Sequence, residues 1–132
     1  MASSQSTCQA ERNAHYRSTL TAYAAAINRQ DVDAICALFA ESAEIIDPIG
    51  GPRHIFGKND IREFYEYVVT KLRIAIRGPV SGSFGNAAAM AVDAVVGNEI
   101  LNNISVAKFD DDGRIVEYVT FWGPGDRHEI AS

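Results

Sequence analysis

Three side chains in this sequence stand where polar groups are unusual, and each could do chemistry there. Asp47 closes the apolar run Ala43-Glu44-Ile45-Ile46, immediately before Pro48. Strand alternation puts its carboxylate on the face it shares with Ile45. Turned inward, it would be an acid–base group in an apolar pocket; the other use of such a residue is to accept hydrogen bonds from the turn that follows. Tyr23 lies in a helical stripe with Tyr16, Leu20 and Ile27, so its ring is expected inside. Its hydroxyl is then either an ordinary core group satisfied by a backbone carbonyl or a donor in a pocket. Ser105 and Asn103 share a strand face with Leu101, Ala107 and Phe109. Polar groups on such a face line a cavity or need internal partners, unless the face is simply the wet one.

Other constellations fail. His15, His54 and His128 lack metal-ligand spacing, and Asp110 to Asp112 read as a hairpin turn rather than a calcium loop. There is no nucleophile elbow, phosphate loop or dinucleotide fingerprint. Neither a metal nor a cofactor is therefore expected. Cys8 and Cys36 make no disulfide framework, and Cys36, among Ile35, Leu38 and Phe39, reads as a small buried hydrophobe, which fits a reducing cytoplasm.

The elements that must position these residues follow from periodicity. Residues 10–30 read as an amphipathic helix, with 1–9 a frayed polar leader. Asp31 is a candidate N-cap for a second helix from Val32 to Ala40. Ala43 to Asp47 is a short strand, Gly50-Gly51-Pro52 a loop, and Asn59 or Asp60 can cap a third helix burying Ile61, Phe64, Tyr65 and Val68. From Arg73 on, the texture is β: 73–80, 83–96, 99–109 and 114–122, with a two-residue hairpin at Gly97-Asn98. Three N-terminal helices followed by antiparallel strands give an α+β plan, with helices closing one side of a curved sheet around an apolar interior.

Size and charge bound the function. The 132 residues make one domain, and 47% apolar content supports a core without staples. No run is long enough to span a membrane, and no apolar signal segment opens the chain. A net charge of −5 with dispersed arginines argues against nucleic acid and anionic membranes as partners. It says little against a neutral apolar ligand.

Taken together, Ala22-Tyr23, Asp31-Val32-Asp33-Ala34-Ile35, Leu38-Phe39-Ala40, Ile46-Asp47-Pro48-Ile49-Gly50, Ile61-Arg62-Glu63-Phe64-Tyr65 and Phe109-Asp110-Asp111-Asp112-Gly113-Arg114-Ile115 resemble the ketosteroid isomerase family of the NTF2-like superfamily, in one order from about Thr19 to Trp122. The resemblance implies an NTF2-like cone and a homodimer joined through the sheet. It implies a steroid Δ5-to-Δ4 3-ketosteroid isomerase that needs no cofactor. Asp47 would be the base carrying a proton from C4 to C6, Tyr23 the main oxyanion donor, and Tyr65 the support for Tyr23. Phe64, Leu101 and Trp122 would line the steroid pocket, Trp122 beside the base, with Tyr118 and Met90 as further walls. Two departures stand out. Ser105 occupies the place of a protonated aspartic acid that serves the best-known members as second donor, and Asn103 the place of an apolar wall residue. A hydroxyl still donates one hydrogen bond, so Ser105 is expected to complete the oxyanion hole.

Rivals share the cone. A polyketide cyclase or another small-ketone isomerase would also use an acid–base carboxylate. An epoxide hydrolase of this fold would need an Asp–Arg–Asp relay, and no inward arginine is evident from the sequence. A non-catalytic binder of hydrophobic ligands would have no reason to place a carboxylate and a phenol in one apolar interior.

Overall fold

Ten elements follow one another along the chain: α1 (Ala2–Asn28), α2 (Val32–Ala37), β1 (Phe39–Ile46), β2 (His54–Phe56), α3 (Gly57–Val68), β3 (Leu72–Ser81), β4 (Ala87–Val96), β5 (Glu99–Phe109), β6 (Ile115–Phe121) and β7 (Arg127–Glu129). The computed structural model describes the backbone of residues 2–130 and the side chains of residues 8–130. The expected α+β plan is present. One sheet of seven strands runs β2-β1-β6-β5-β4-β3, with β7 beside β5, and it does not close. All pairings are antiparallel except β1 with β6.

The stripe expected on the first helix is the one it buries: Tyr16, Leu20, Tyr23 and Ile27 lie in the core. The helix begins at Ala2, so it runs through the stretch expected as a frayed leader. No Gly or Pro interrupts it there, and Gln9 bonds the carbonyls of Ser83 and Gly85. At its other end Asn28 accepts from the Ile74 amide and donates to the Ile74 carbonyl, at 2.9 and 2.8 Å. That pair occupies backbone groups of β3, an edge strand that would otherwise offer them to another chain.

Asp31 caps α2 through the Ala34 amide, as expected. The helix stops at Ala37, three residues short of the expected end, because the chain is drawn into the sheet. Leu38 accepts from the Ile115 amide, and Phe39 pairs with Ile115. Ladder pairing overrides helical periodicity here. α3 starts at Gly57, ahead of the expected caps, with Phe56 in the cap position and Asp60 in the first turn, where the helix dipole favours an acid. β4 starts at Ala87 rather than Ser83, since the Ser83 hydroxyl folds residues 83–87 into a turn. β2 and β7 lie outside the expected strands, because three residues are too few to carry a pattern. The hairpin at Gly97-Asn98 forms with Gly97 at φ +60°, the left-handed conformation such a turn needs.

One end of the cone is filled. Tyr16 stacks on Phe109 at 4.1 Å between centroids, packed with Leu20, Ala88, Ala107 and Ile115. Toward the other end the inward residues of β4 and β5 are short, Val92, Ala94 and Asn103, and they leave a space that α3 only partly covers. No described helix is long and apolar enough to cross a membrane.

Candidate active site

A cavity of about 290 Å³ fills that space, at the lower edge of the range for small-molecule sites. Asp47, Tyr23, Ser105, Tyr65, Phe64, Trp122, Leu101, Asn103 and Tyr118 all line it. Met90 does not. It stands opposite Ser105 in the β4–β5 ladder but is packed into the core, 2% exposed.

Asp47 follows the last residue of β1, on the face of Ile45, and β6 supplies its partners. Thr120 Oγ1 donates to Oδ1 at 2.6 Å, and Trp122 Nε1–H reaches the same oxygen at 3.3 Å. The Arg53 guanidinium stands 3.5 Å from Oδ2. Parallel pairing of β1 with β6 sets this up, since Ile45 pairs with Tyr118 and Ile46 with Val119, which carries Asp47 to the level of Thr120. The Asp47 amide also bonds the Arg53 carbonyl at 3.1 Å, closing the loop that holds the guanidinium near its carboxylate.

Three phenols form the opposite wall. Tyr23 and Tyr65 share a hydrogen bond of 2.7 Å between hydroxyls. The Tyr118 ring lies 5.0 Å from that of Tyr23. Burial pushes all three hydroxyls above the ordinary phenol range. For Tyr23 the charges that Tyr118 and Tyr65 would carry add to the effect. For Tyr65 a charge on Tyr118 and the Asp47 carboxylate add, while the Tyr23 hydrogen bond opposes. Tyr118 is pushed up to about 12 by burial, with polar contacts from Ser105 and Tyr23 holding it down. At neutral pH all three are protonated donors.

Ser105 is 2% exposed, and its hydroxyl donates to Asn103 Oδ1 at 3.1 Å. The face that carries it with Asn103, Ala107 and Phe109 is the inner one. The two residues therefore line a cavity and also satisfy each other.

The sequence reading missed four contributors. Thr120 could have been found from strand alternation with Tyr118 and Trp122. Arg53, Lys71 and Arg127 also line the cavity, although the arginines look dispersed along the chain. They come from loops or element ends, where period gives no direction.

A carboxylate held by three donors faces neutral phenols across apolar walls. That arrangement can take a proton from a bound molecule and stabilise negative charge developing elsewhere on it.

Known proteins share this arrangement of chain. Residues 20–118 match the model of the SnoaL-like domain. The chain is 32% identical over 119 residues to the Steroid Delta-isomerase of Nocardioides simplex, covering 86% of this chain and 94% of that one. Among solved structures it resembles the epoxide hydrolase/cyclase-like enzyme SalBIII, which acts in pyran ring formation in polyether salinomycin. That likeness has a TM-score of 0.80 and 27% identity, and covers 86% of this chain and 95% of that one.

Proposed function

We propose that this chain, which belongs to the SnoaL-like domain family, is a cofactor-independent steroid Δ5-to-Δ4 3-ketosteroid isomerase acting in the cytoplasm. The observation that carries the reading is a carboxylate and a hydrogen-bonded pair of phenols, Asp47 and Tyr23–Tyr65, on the walls of one apolar cavity. The similarity to a Steroid Delta-isomerase over most of the chain supports the substrate class.

Moving a double bond into conjugation with a ketone requires a proton to leave the carbon between them. A carboxylate is a weak base for such a carbon acid, so the dienolate oxygen must be stabilised as its charge develops. Asp47 takes the proton from C4 and returns it to C6, with no net change in atoms or electrons. Either hydroxyl of the Tyr23–Tyr65 pair can donate to the other; with substrate bound, Tyr65 would donate to Tyr23 and Tyr23 to the oxygen, each bond polarising the next. Ser105 is the second donor. Thr120 and Trp122 orient the carboxylate.

The test is ultraviolet absorbance with 5-androstene-3,17-dione, whose conjugated product absorbs where the substrate does not. A steady rise that depends on enzyme concentration is expected, and none at all would overturn the reading.

The SalBIII likeness and the Arg53–Asp47 pair favour a cyclase or epoxide-opening reading as second choice. Among the described residues lining the cavity, Asp47 is the only carboxylate, so an Asp–Arg–Asp relay lacks its second acid.

The homodimer is part of the proposal. Ile104 and Phe121 pair across β5 and β6 on the outer sheet face, 44% and 42% exposed, next to Ala91. Covering such a strip with a second copy removes apolar area from water. Ile104→Lys should shift the mass measured by light scattering from dimer toward monomer.

A further inference from the structure

Charge is distributed unevenly around the cavity. The chain has 17 Asp and Glu against 12 Lys and Arg. The charged side chains lining the cavity are nevertheless Asp47, Arg53, Lys71 and Arg127, three cations to one anion. Arg53 is the partner of Asp47. The other two do not touch Asp47: Lys71 stands apart from it, and Arg127 is separated from it by the Trp122 ring.

Lys71 stands just before β3, and Arg127 opens β7. The Lys71 ammonium lies over the Tyr67 ring at 5.3 Å from its centroid, and the Arg127 guanidinium over Trp122 at 5.7 Å. Both rings line the cavity, so each cation is held against its wall by an aromatic face. Arg127 has an acidic neighbour, Glu99 Oε1 at 3.7 Å, in a largely exposed pair. Lys71 has no ion-pair partner among the described residues.

Strand register measures how far these cations stand from the chemistry. Arg127 pairs with Leu101, which pairs on its other side with Ala94. Val96, two residues along β4, pairs with Leu72, the neighbour of Lys71. Ser105 lies four positions up β5 from Leu101, roughly 13 Å at the rise of a β-strand. A ketone oxygen placed between Tyr23 and Ser105 would leave the far end of a fused-ring skeleton near Lys71 and Arg127.

We propose that the substrate is an amphipathic ketone carrying an anionic group, such as a carboxylate or a sulfate, at the end remote from its carbonyl, and that Lys71 and Arg127 receive that group. The inference deepens the isomerase reading above and rests on it. A wholly apolar substrate would gain nothing from two cations beside its distal end. An anion there meets both, and because both side chains are exposed, salt screens the pairs. Each partly exposed pair contributes severalfold, so roughly tenfold in affinity is expected from the two together.

The chain has one tryptophan, Trp122, and it lines the cavity, so its fluorescence reports occupancy without turnover. Two probes with the same ring system suffice: 4-androstene-3,17-dione, which is neutral, and 3-oxo-4-androstene-17β-carboxylate. The acid is expected to bind about tenfold more tightly at low salt. The advantage should shrink at about 0.5 M salt and fall below twofold in the Lys71→Gln/Arg127→Gln double variant. Equal or weaker binding of the acid overturns the inference, as does an advantage that survives in the double variant. If 5-androstene-3,17-dione is turned over while the acid shows no advantage, the isomerase reading stands and only the anionic end is wrong. If neither probe quenches Trp122 and the dione is not turned over, both fall.

Discussion

The two polar walls of the cavity handle their groups in opposite ways. Tyr23, Tyr65 and Tyr118 are neutral and at most 4% exposed, and burial pushes every one of their hydroxyls upward. Asp47 carries a charge, and its side chain keeps 23% of its exposure at the end of β1. Burying a neutral hydroxyl costs little once it has a partner, whereas burying an unpaired carboxylate costs far more. The fold therefore keeps its donors dry and leaves its charge where water, Thr120, Trp122 and Arg53 all reach it. Dryness suits the donors for a second reason. With little water to compete, their hydrogen bonds to a developing oxyanion are worth more than they would be in solvent.

The largest effect should come from the carboxylate wall. Asp47→Asn keeps the shape and removes the base, so turnover of the Δ5-ketone should fall by at least ~10³-fold. An unchanged circular dichroism spectrum would show that the fold survives. Near-normal turnover would take Asp47 out of the mechanism and leave the phenols without a counterpart.

The phenol wall should come next. Tyr23→Phe removes the hydroxyl that bonds the charged oxygen more strongly than the ketone, so kcat should drop by about 10²-fold while KM changes little. A change confined to KM would make Tyr23 a positioning residue, and the two walls would then differ in solvation but not in role.

Alkali should expose the same contrast without a substrate. An unfolded phenol titrates near 10, and Tyr118 in the folded chain is pushed up to about 12. Because the folded value is the higher, its contribution to stability is whole below pH ~10 and is lost as pH rises through ~12. The shift is worth a few kcal/mol at most from Tyr118. Denaturant midpoints should stay nearly level from about pH 8 to 9 and fall from about pH 10 upward, and Tyr118→Phe should make the fall shallower. Equal slopes in the two proteins would mean that the Tyr118 hydroxyl is not dry.

How much of this could be read from the chain varies with the kind of signal. Tyr16, Leu20, Tyr23 and Ile27 share a face at helical period, and that face is the buried one. Asp47 and Ser105 followed from strand alternation once an inward face was assumed, and Ile45 and Ala107 beside them are buried. Period fails where tertiary pairing decides, as at Phe39, which is buried as expected but in a strand rather than a helix. It is also silent about loops. Arg53 lies beyond Pro48, Gly50, Gly51 and Pro52, and only the folded turn returns it to Asp47. Met90, which the resemblance implies as a wall, is packed in the core outside the cavity, and an inward strand residue can face either.

Ser105 belongs to the phenol wall, yet it should contribute least there. Its one proton is already committed to Asn103 Oδ1 at 3.1 Å. To stabilise an oxyanion, the hydroxyl must rotate away from that oxygen, exchanging one hydrogen bond for another. Only the difference between the two appears in the barrier, about 1 kcal/mol for a bond to a charged rather than a neutral acceptor. Tyr23 faces no such exchange if Tyr65 is its donor, because its own proton then stays free for the substrate. Ser105→Ala should therefore lower kcat by about fivefold, well short of the Tyr23→Phe loss, with KM nearly constant. The double variant Ser105→Ala/Asn103→Leu removes the competing acceptor as well, and it should be no slower than Ser105→Ala alone. A loss at Ser105 as large as that at Tyr23 would mean that the hydroxyl is turned to the substrate when one is bound, and would make it an equal member of the oxyanion hole.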